Sequence, residues 1–209
     1  MAVGIASQDP APSSPPGGQA QAPAPPADAS APDEQASKKP AAKPDAGKPA
    51  PKPVVNALKY SRPVRVEIPE IGVDAGLVDV GLDEDGVMET PTVAEQAAWF
   101  TPSPPPGIPG ATVISGHVTY NGPAVFLKLG DLRRGDQVEV RRADGVTTIF
   151  EVTKIGSFAK NNFPTDAVYS QPSRSELRLI TCGGEYDEEN NRYLDNVIVW
   201  AKIVGAEKA

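Results

Sequence analysis

Leu177-Arg-Leu-Ile-Thr-Cys-Gly-Gly184 sets an apolar, β-favouring run directly ahead of a thiol and two glycines. The run reads as a buried strand, and the glycines permit a sharp turn at its end. Downstream, Val197-Ile-Val-Trp-Ala-Lys-Ile203 has the same character and forms a last strand. Upstream, Ala111-Thr-Val-Ile-Ser115 is a small, apolar strand running into Gly116-His117. Between them, Gln137-Val-Glu-Val-Arg141 and Thr147 to Ile155 flank Asp144-Gly145, a hairpin signal. Ser157 to Ser175 reads as a polar loop.

The pattern continues toward the N-terminus. Val64-Arg-Val-Glu-Ile68 alternates, and Pro69 then bends the strand or confines it to an edge. Ile71 to Val73 and Gly76 to Val80 extend the β pattern, and Asp83-Glu-Asp-Gly86 is a turn before Val87-Met88. Thr92-Val-Ala-Glu95 matches a helix capping box and predicts a short helix through Gln96-Ala-Ala-Trp99. Pro123 to Leu129 suits one or two helical turns, and Thr101 to Gly110, rich in Pro and Gly, must be loop. With no internal repeat, roughly eight short strands around one core predict a mainly β fold. That fold is a closed eight-stranded β-barrel with a filled interior and one or two short helices.

Residues 1–57 differ in kind. They are mostly Ala, Pro, Gln, Ser, Asp and Lys, and no aromatic residue precedes Tyr60. Such a segment cannot bury enough apolar surface to offset its ordering entropy. It is expected to be a disordered, partly polyproline-extended spacer ahead of one compact domain, 58–209. Met1-Ala-Val-Gly-Ile-Ala6 is neither a signal peptide nor a membrane helix. A spacer before a β domain suits a tethered protein, so an anchor upstream of this start is expected.

The net charge of −7 and the absence of a basic stripe argue against a nucleic-acid partner. Lys38-Lys39, Arg133-Arg134 and Arg141-Arg142 read as solvated surface.

Chemistry has few possible carriers. One cysteine and one histidine exclude an internal disulfide and a Cys/His zinc site. Glu185, Asp187, Glu188 and Glu189 lack the ligand pattern of a calcium loop, so no metal and no cofactor is expected. Cys182 and His117 both lie at strand ends flanked by glycine, the placement a cysteine–histidine acyl-transfer site needs. Attack on a carbonyl also needs a donor for the oxyanion. Arg192, in the turn before the last strand, Asn196, at its start, and Arg178, on the face of Cys182, are the candidates.

Several segments together resemble the sortase family. They are Ile68-Pro-Glu-Ile-Gly-Val-Asp-Ala75, Trp99-Phe100, Ser115-Gly-His-Val118, Phe126-Leu-Lys-Leu-Gly-Asp-Leu132 with Gly135-Asp136, and Leu179-Ile-Thr-Cys-Gly-Gly184. The Thr-Cys-Gly-Gly ending, with Phe163-Pro-Thr165 and Tyr193-Leu-Asp-Asn-Val197, is most similar to class F sortases of high-GC Gram-positive bacteria. The resemblance spans about Arg65 to Ile203. It implies an extracytoplasmic transpeptidase, anchored N-terminally at the cell surface. Such an enzyme cleaves an LPXTG-like sorting signal between Thr and Gly, holds the acyl group as a cysteine thioester, and passes it to a peptidoglycan-precursor or pilin amine. On this chain Cys182 becomes the nucleophile and His117 the general acid and base. The family's third residue is an arginine near the last strand. Aligning Val197 to Ala201 puts Asn196 at that place, leaving Arg192 as the expected residue and Asn196 as its rival. Two other readings stay open: a hydrolytic cysteine peptidase or thioesterase, and a surface β-barrel that only binds a ligand.

Overall fold

Successive side chains of a strand point to opposite faces, and here both faces are used. The computed structural model describes residues 58–208, so the expected spacer at 1–57 lies outside the described residues. Eight strands form the domain: β1 (Pro63–Ile68), β2 (Val73–Val80), β3 (Ala97–Phe100), β4 (Gly110–Gly116), β5 (Gln137–Arg142), β6 (Val146–Ala159), β7 (Ser175–Asp187) and β8 (Arg192–Lys208). They close into the eight-stranded barrel expected from the sequence, in the order β1-β2-β3-β4-β7-β8-β6-β5. Two neighbours run parallel, β2 with β3 and β4 with β7; the other pairs are antiparallel.

Alternation along β4, β7 and β8 divides the apolar residues into two layers. Ile114, Leu177, Leu179, Val199 and Ala201 fill the barrel with Val66, Ile68 and Phe150. Val113, Ile180, Ile198 and Trp200 point the other way. They are covered by Val168 of a one-turn helix, α1 (Thr165–Val168), and by Phe158, Phe163 and Tyr169. Full burial of one such aliphatic side chain contributes about 1.5–3 kcal/mol, so the second layer holds the 158–169 segment against the outside of β7 and β8.

Pro69 neither bends β1 nor marks an edge, since β1 pairs on both sides; it ends the strand, opening a 3₁₀ turn at Pro69–Ile71 that closes on Gly72 in the left-handed region (φ 70°). Asp144-Gly145 does turn the β5–β6 hairpin, with Gly145 at φ 80°. The polar loop foreseen from Ser157 is shorter, because β6 runs to Ala159 and α1 follows. The helix foreseen over Thr92 to Trp99 is absent. Ala97–Phe100 is instead fully buried strand, paired with Leu77–Val80 on one edge and with Ile114–Gly116 on the other. Two flanking strands satisfy more of its backbone than one helical turn would, and they override the capping signal.

Arg142 is a second correction. Its neighbour Arg141 and the pair Arg133-Arg134 are exposed, but the Arg142 side chain is wholly buried. It donates to Pro106 O at 2.7 Å, to Lys59 O at 2.5 Å and to Asp144 Oδ2 at 2.7 Å. Among the described residues, no helix is long and apolar enough to cross a membrane.

Candidate active site

The register of three strand pairs builds one polar row where β4 ends against the middle of β7; Cys182 does not close its strand as expected, because β7 continues through Gly183-Gly184 and pairs with β8 as far as Asp187. In the parallel ladder Ser115 faces Ile180, and the Thr181 hydroxyl donates to Gly116 O at 2.8 Å. Two further steps of the same register, just past the last pair of the ladder, set His117 beside Cys182. Across the antiparallel ladder Cys182 faces Asn196, and Asn196 in turn faces Phe158 of β6. Neighbouring strands lie about 4.8 Å apart, so imidazole, thiol and amide stand side by side on the outer face of the barrel. All three are buried: His117 is 2 % exposed, Cys182 1 % and Asn196 2 %.

His117 is held in one orientation. Its Nε2 lies 2.6 Å from Pro91 O. A carbonyl oxygen only accepts, so Nε2 carries the hydrogen and Nδ1 is the basic nitrogen of the neutral ring. The ring also stacks on Tyr120, with centroids 4.8 Å apart at 27°. The sequence reading gave Gly116 the task of leaving the imidazole room. The structure gives it another, since a Cβ there would come within 2.7 Å of both Val125 and Phe126. Gly116 therefore admits the chain that returns after the histidine.

Cys182 is set by the two glycines after it. Gly184 has φ 76°, which L side chains rarely adopt, and the ladder shifts register between Gly183 and Tyr186. That bulge bends β7 just beyond the thiol. Burial pushes the thiol up from its ordinary value, and the charge of Lys160 and a hydrogen bond from it pull the other way. Beside the thiol, Asn196 Oδ1 is buried without a hydrogen-bond partner, as is Ser115 Oγ on the strand of His117.

Of the three oxyanion candidates, the structure brings only Asn196 to the cysteine. Arg192 faces Asp187 at the far end of the β7–β8 hairpin, ion-paired to it at 3.8 Å, with 49 % of its side chain exposed. Four residues of strand separate it from Asn196, roughly 13 Å. Arg178 does share the face of Cys182, but its guanidinium donates to Glu176 at 2.7 Å, Leu177 O at 3.2 Å and Ala167 O at 3.4 Å. In the acidic turn, Asp187 accepts from Asn190 N and Nδ2. Among the described residues, no three or more His, Cys, Asp or Glu side chains group to hold a metal.

Three contributors escaped the sequence reading: the Pro91 carbonyl, Tyr120 and Lys160. A backbone carbonyl leaves no signal in a sequence. Tyr120 lies three residues past the histidine, and Lys160 stands shortly before Phe163-Pro164, positions whose meaning appears only once the strands are paired.

Comparison with known proteins bears on this geometry. The sortase domain model matches residues 66–204, which holds the whole row. The chain belongs to the sortase family. This sortase is thus a cysteine transpeptidase with one cysteine to act through, and the binding-module reading loses its support. Solved sortases share its fold. Sortase C-1 from Actinomyces oris is 24% identical over 68% of this chain and 72% of that one, with a TM-score of 0.54. A Clostridium perfringens sortase D5 transpeptidase is 22% identical over 69% and 79%, TM-score 0.52. Streptococcus pneumoniae sortase C is 21% identical over 73% and 71%, TM-score 0.55. No curated protein matched the chain by sequence.

Proposed function

We infer that this sortase cleaves an LPXTG-like sorting signal between Thr and Gly and joins the threonyl group to an amine of a peptidoglycan precursor or a pilin. It would act at the cell surface, held there by an N-terminal anchor. The row of Cys182 and Asn196 on neighbouring strands with His117 just past the end of β4 carries the reading. The Thr181-Cys-Gly-Gly184 ending with Phe163-Pro164 and Tyr193-Leu-Asp-Asn196 supports class F.

Each group then has one task. The Cys182 proton passes to the basic nitrogen of His117, and the sulfur lone pair forms a bond to the threonine carbonyl carbon. The carbonyl π pair moves to oxygen, where the amide of Asn196 donates to it in the orientation that turns Nδ2 toward the substrate. As the carbonyl re-forms, the C–N bond breaks and the glycine amine leaves with the proton from His117. The incoming amine repeats the steps in reverse, with His117 as its base. A buried thiol is mostly protonated near neutral pH, so the reacting thiolate is formed together with the imidazolium.

Mass spectrometry of the protein with an LPXTG peptide tests the reading, with and without oligoglycine or a diaminopimelate-type amine. A mass addition on Cys182 and an amine-dependent product, both lost in Cys182→Ala, are expected. Hydrolysis unaffected by amine would favour the peptidase reading. No adduct from a panel of signal variants would sink the proposed substrate class.

A further inference from the structure

The proposed reaction places negative charge first on the Cys182 sulfur and then on the carbonyl oxygen, and both call for a cation in contact. The row of three offers none in its resting state. Arg178 is held by Glu176 and two carbonyls about 13 Å along β7. Arg192 is half exposed and paired with Asp187. Asn196 is neutral.

Lys160 is placed differently. Phe158 lies beside Asn196, and Asn196 beside Cys182, so the end of β6 is two strands away from the thiol. The ladder stops at Ala159, and Lys160 opens the 3₁₀ turn Lys160–Asn162. From there its half-buried side chain, on the same barrel face as Phe158, is near enough for its charge to pull down the Cys182 thiol. No carboxylate is ion-paired with it among the described residues. The acid next to the row, Asp195 beside Gly183, accepts instead from the Ser157 hydroxyl at 2.9 Å and packs over Gly184. The remaining titratable neighbour of the thiol, His117, faces it from β4.

We propose that Lys160 is the cation of this active site, steadying the Cys182 thiolate and then the oxyanion. This rests on Cys182 being the nucleophile. The proton still shuttles through His117, and Lys160 contributes charge and a hydrogen bond only. Burial of the thiol and the pull of Lys160 act on it in opposite senses, as the role requires.

Because the chain has one cysteine, its alkylation by iodoacetamide reads this thiol alone. Rates would be followed against pH in the wild type, Lys160→Gln and Lys160→Arg, with thermal unfolding confirming the fold of each. Lys160→Gln should move the alkylation midpoint up by about one pH unit, leaving about tenfold less thiolate at neutral pH. Lys160→Arg should keep the midpoint near that of the wild type. Acyl-adduct formation from an LPXTG peptide should slow about tenfold in Lys160→Gln and largely recover in Lys160→Arg. A Lys160→Gln midpoint coinciding with that of the wild type would overturn the proposal. A shifted midpoint alongside a wild type that never acylates would uphold Lys160 as the thiol's cation and overturn the nucleophile reading instead.

Discussion

Two buried polar clusters in this barrel are treated in opposite ways. Around Arg142 the guanidinium meets Pro106 O, Lys59 O and both oxygens of Asp144, and Asp144 N donates to Ser61 Oγ at 3.0 Å. Around Cys182, Asn196 Oδ1 and Ser115 Oγ are equally hidden and have no partner. An unpaired buried polar group costs about 1–3 kcal/mol. The fold thus satisfies one cluster fully and leaves the other with spare hydrogen-bonding capacity, which the proposed peptide-binding role would use. The first cluster ties distant segments of the domain together, and the second is the one the proposed reaction draws on.

The contrast breaks or sharpens at named residues. The largest effect falls on the second cluster: His117→Ala should lower kcat/KM for amine-dependent ligation about 10²–10⁴-fold per folded molecule, measured by product formation, and should also lower the thermal midpoint, because a buried ring bonded to Pro91 O is lost. Asn196→Ala should reduce kcat/KM about 10–100-fold without loss of stability, because the amide gives up no protein partner at Oδ1. Arg192→Ala, assayed beside it, should change the rate less than about twofold; a larger loss than in Asn196→Ala would restore Arg192 as the third residue. Arg142→Met should act in the reverse sense. Leaving two carbonyls and Asp144 without their donor costs roughly 3 kcal/mol, or about 10 °C in Tm, with activity per folded molecule retained.

The smallest effect concerns pH. The hydrogen bond from Arg142 holds the Asp144 carboxyl below its usual range. A depressed folded-state pKa contributes stability that is present above the unfolded value, about 3.9, and is lost as pH falls through the folded one. Asp144→Asn should therefore be the less stable protein at neutral pH, with the gap narrowing below about pH 4. A gap that stays constant in acid, followed by thermal unfolding, would show that the ion pair is not its source.

Legibility in the sequence followed the range of the interactions. β4, β7 and β8 were readable because β-favouring residues run without interruption, and the Asp144-Gly145 hairpin because its signal is two residues long. Ala97–Phe100 was misread because its capping box is local, whereas the two strands that claim it arrive from Leu77–Val80 and Ile114–Gly116. Arg142 was misread for the same reason, since its carbonyl partners belong to Lys59 and Pro106, far away along the chain. Cys182 and His117 stood out by rarity and by glycine neighbours. Their adjacency depends on the parallel pairing of β4 with β7, which no local pattern announces. Lys160 was hidden altogether, because a lysine in a polar loop is ordinary until β6 is laid beside β8.

The parallel joint between β4 and β7 also sets a timetable. Parallel strands need a long crossover, and here the intervening chain makes up β5, β6 and α1. Non-local pairings of this kind close slowly, on the order of milliseconds to seconds in small β domains. A ribosome delivers histidine well before cysteine, and neither meets the other until β7 has docked between β4 and β8. The emerging polypeptide is thus inert as a transferase until almost its last strand is in place, a delay written into topology rather than into any inhibitor.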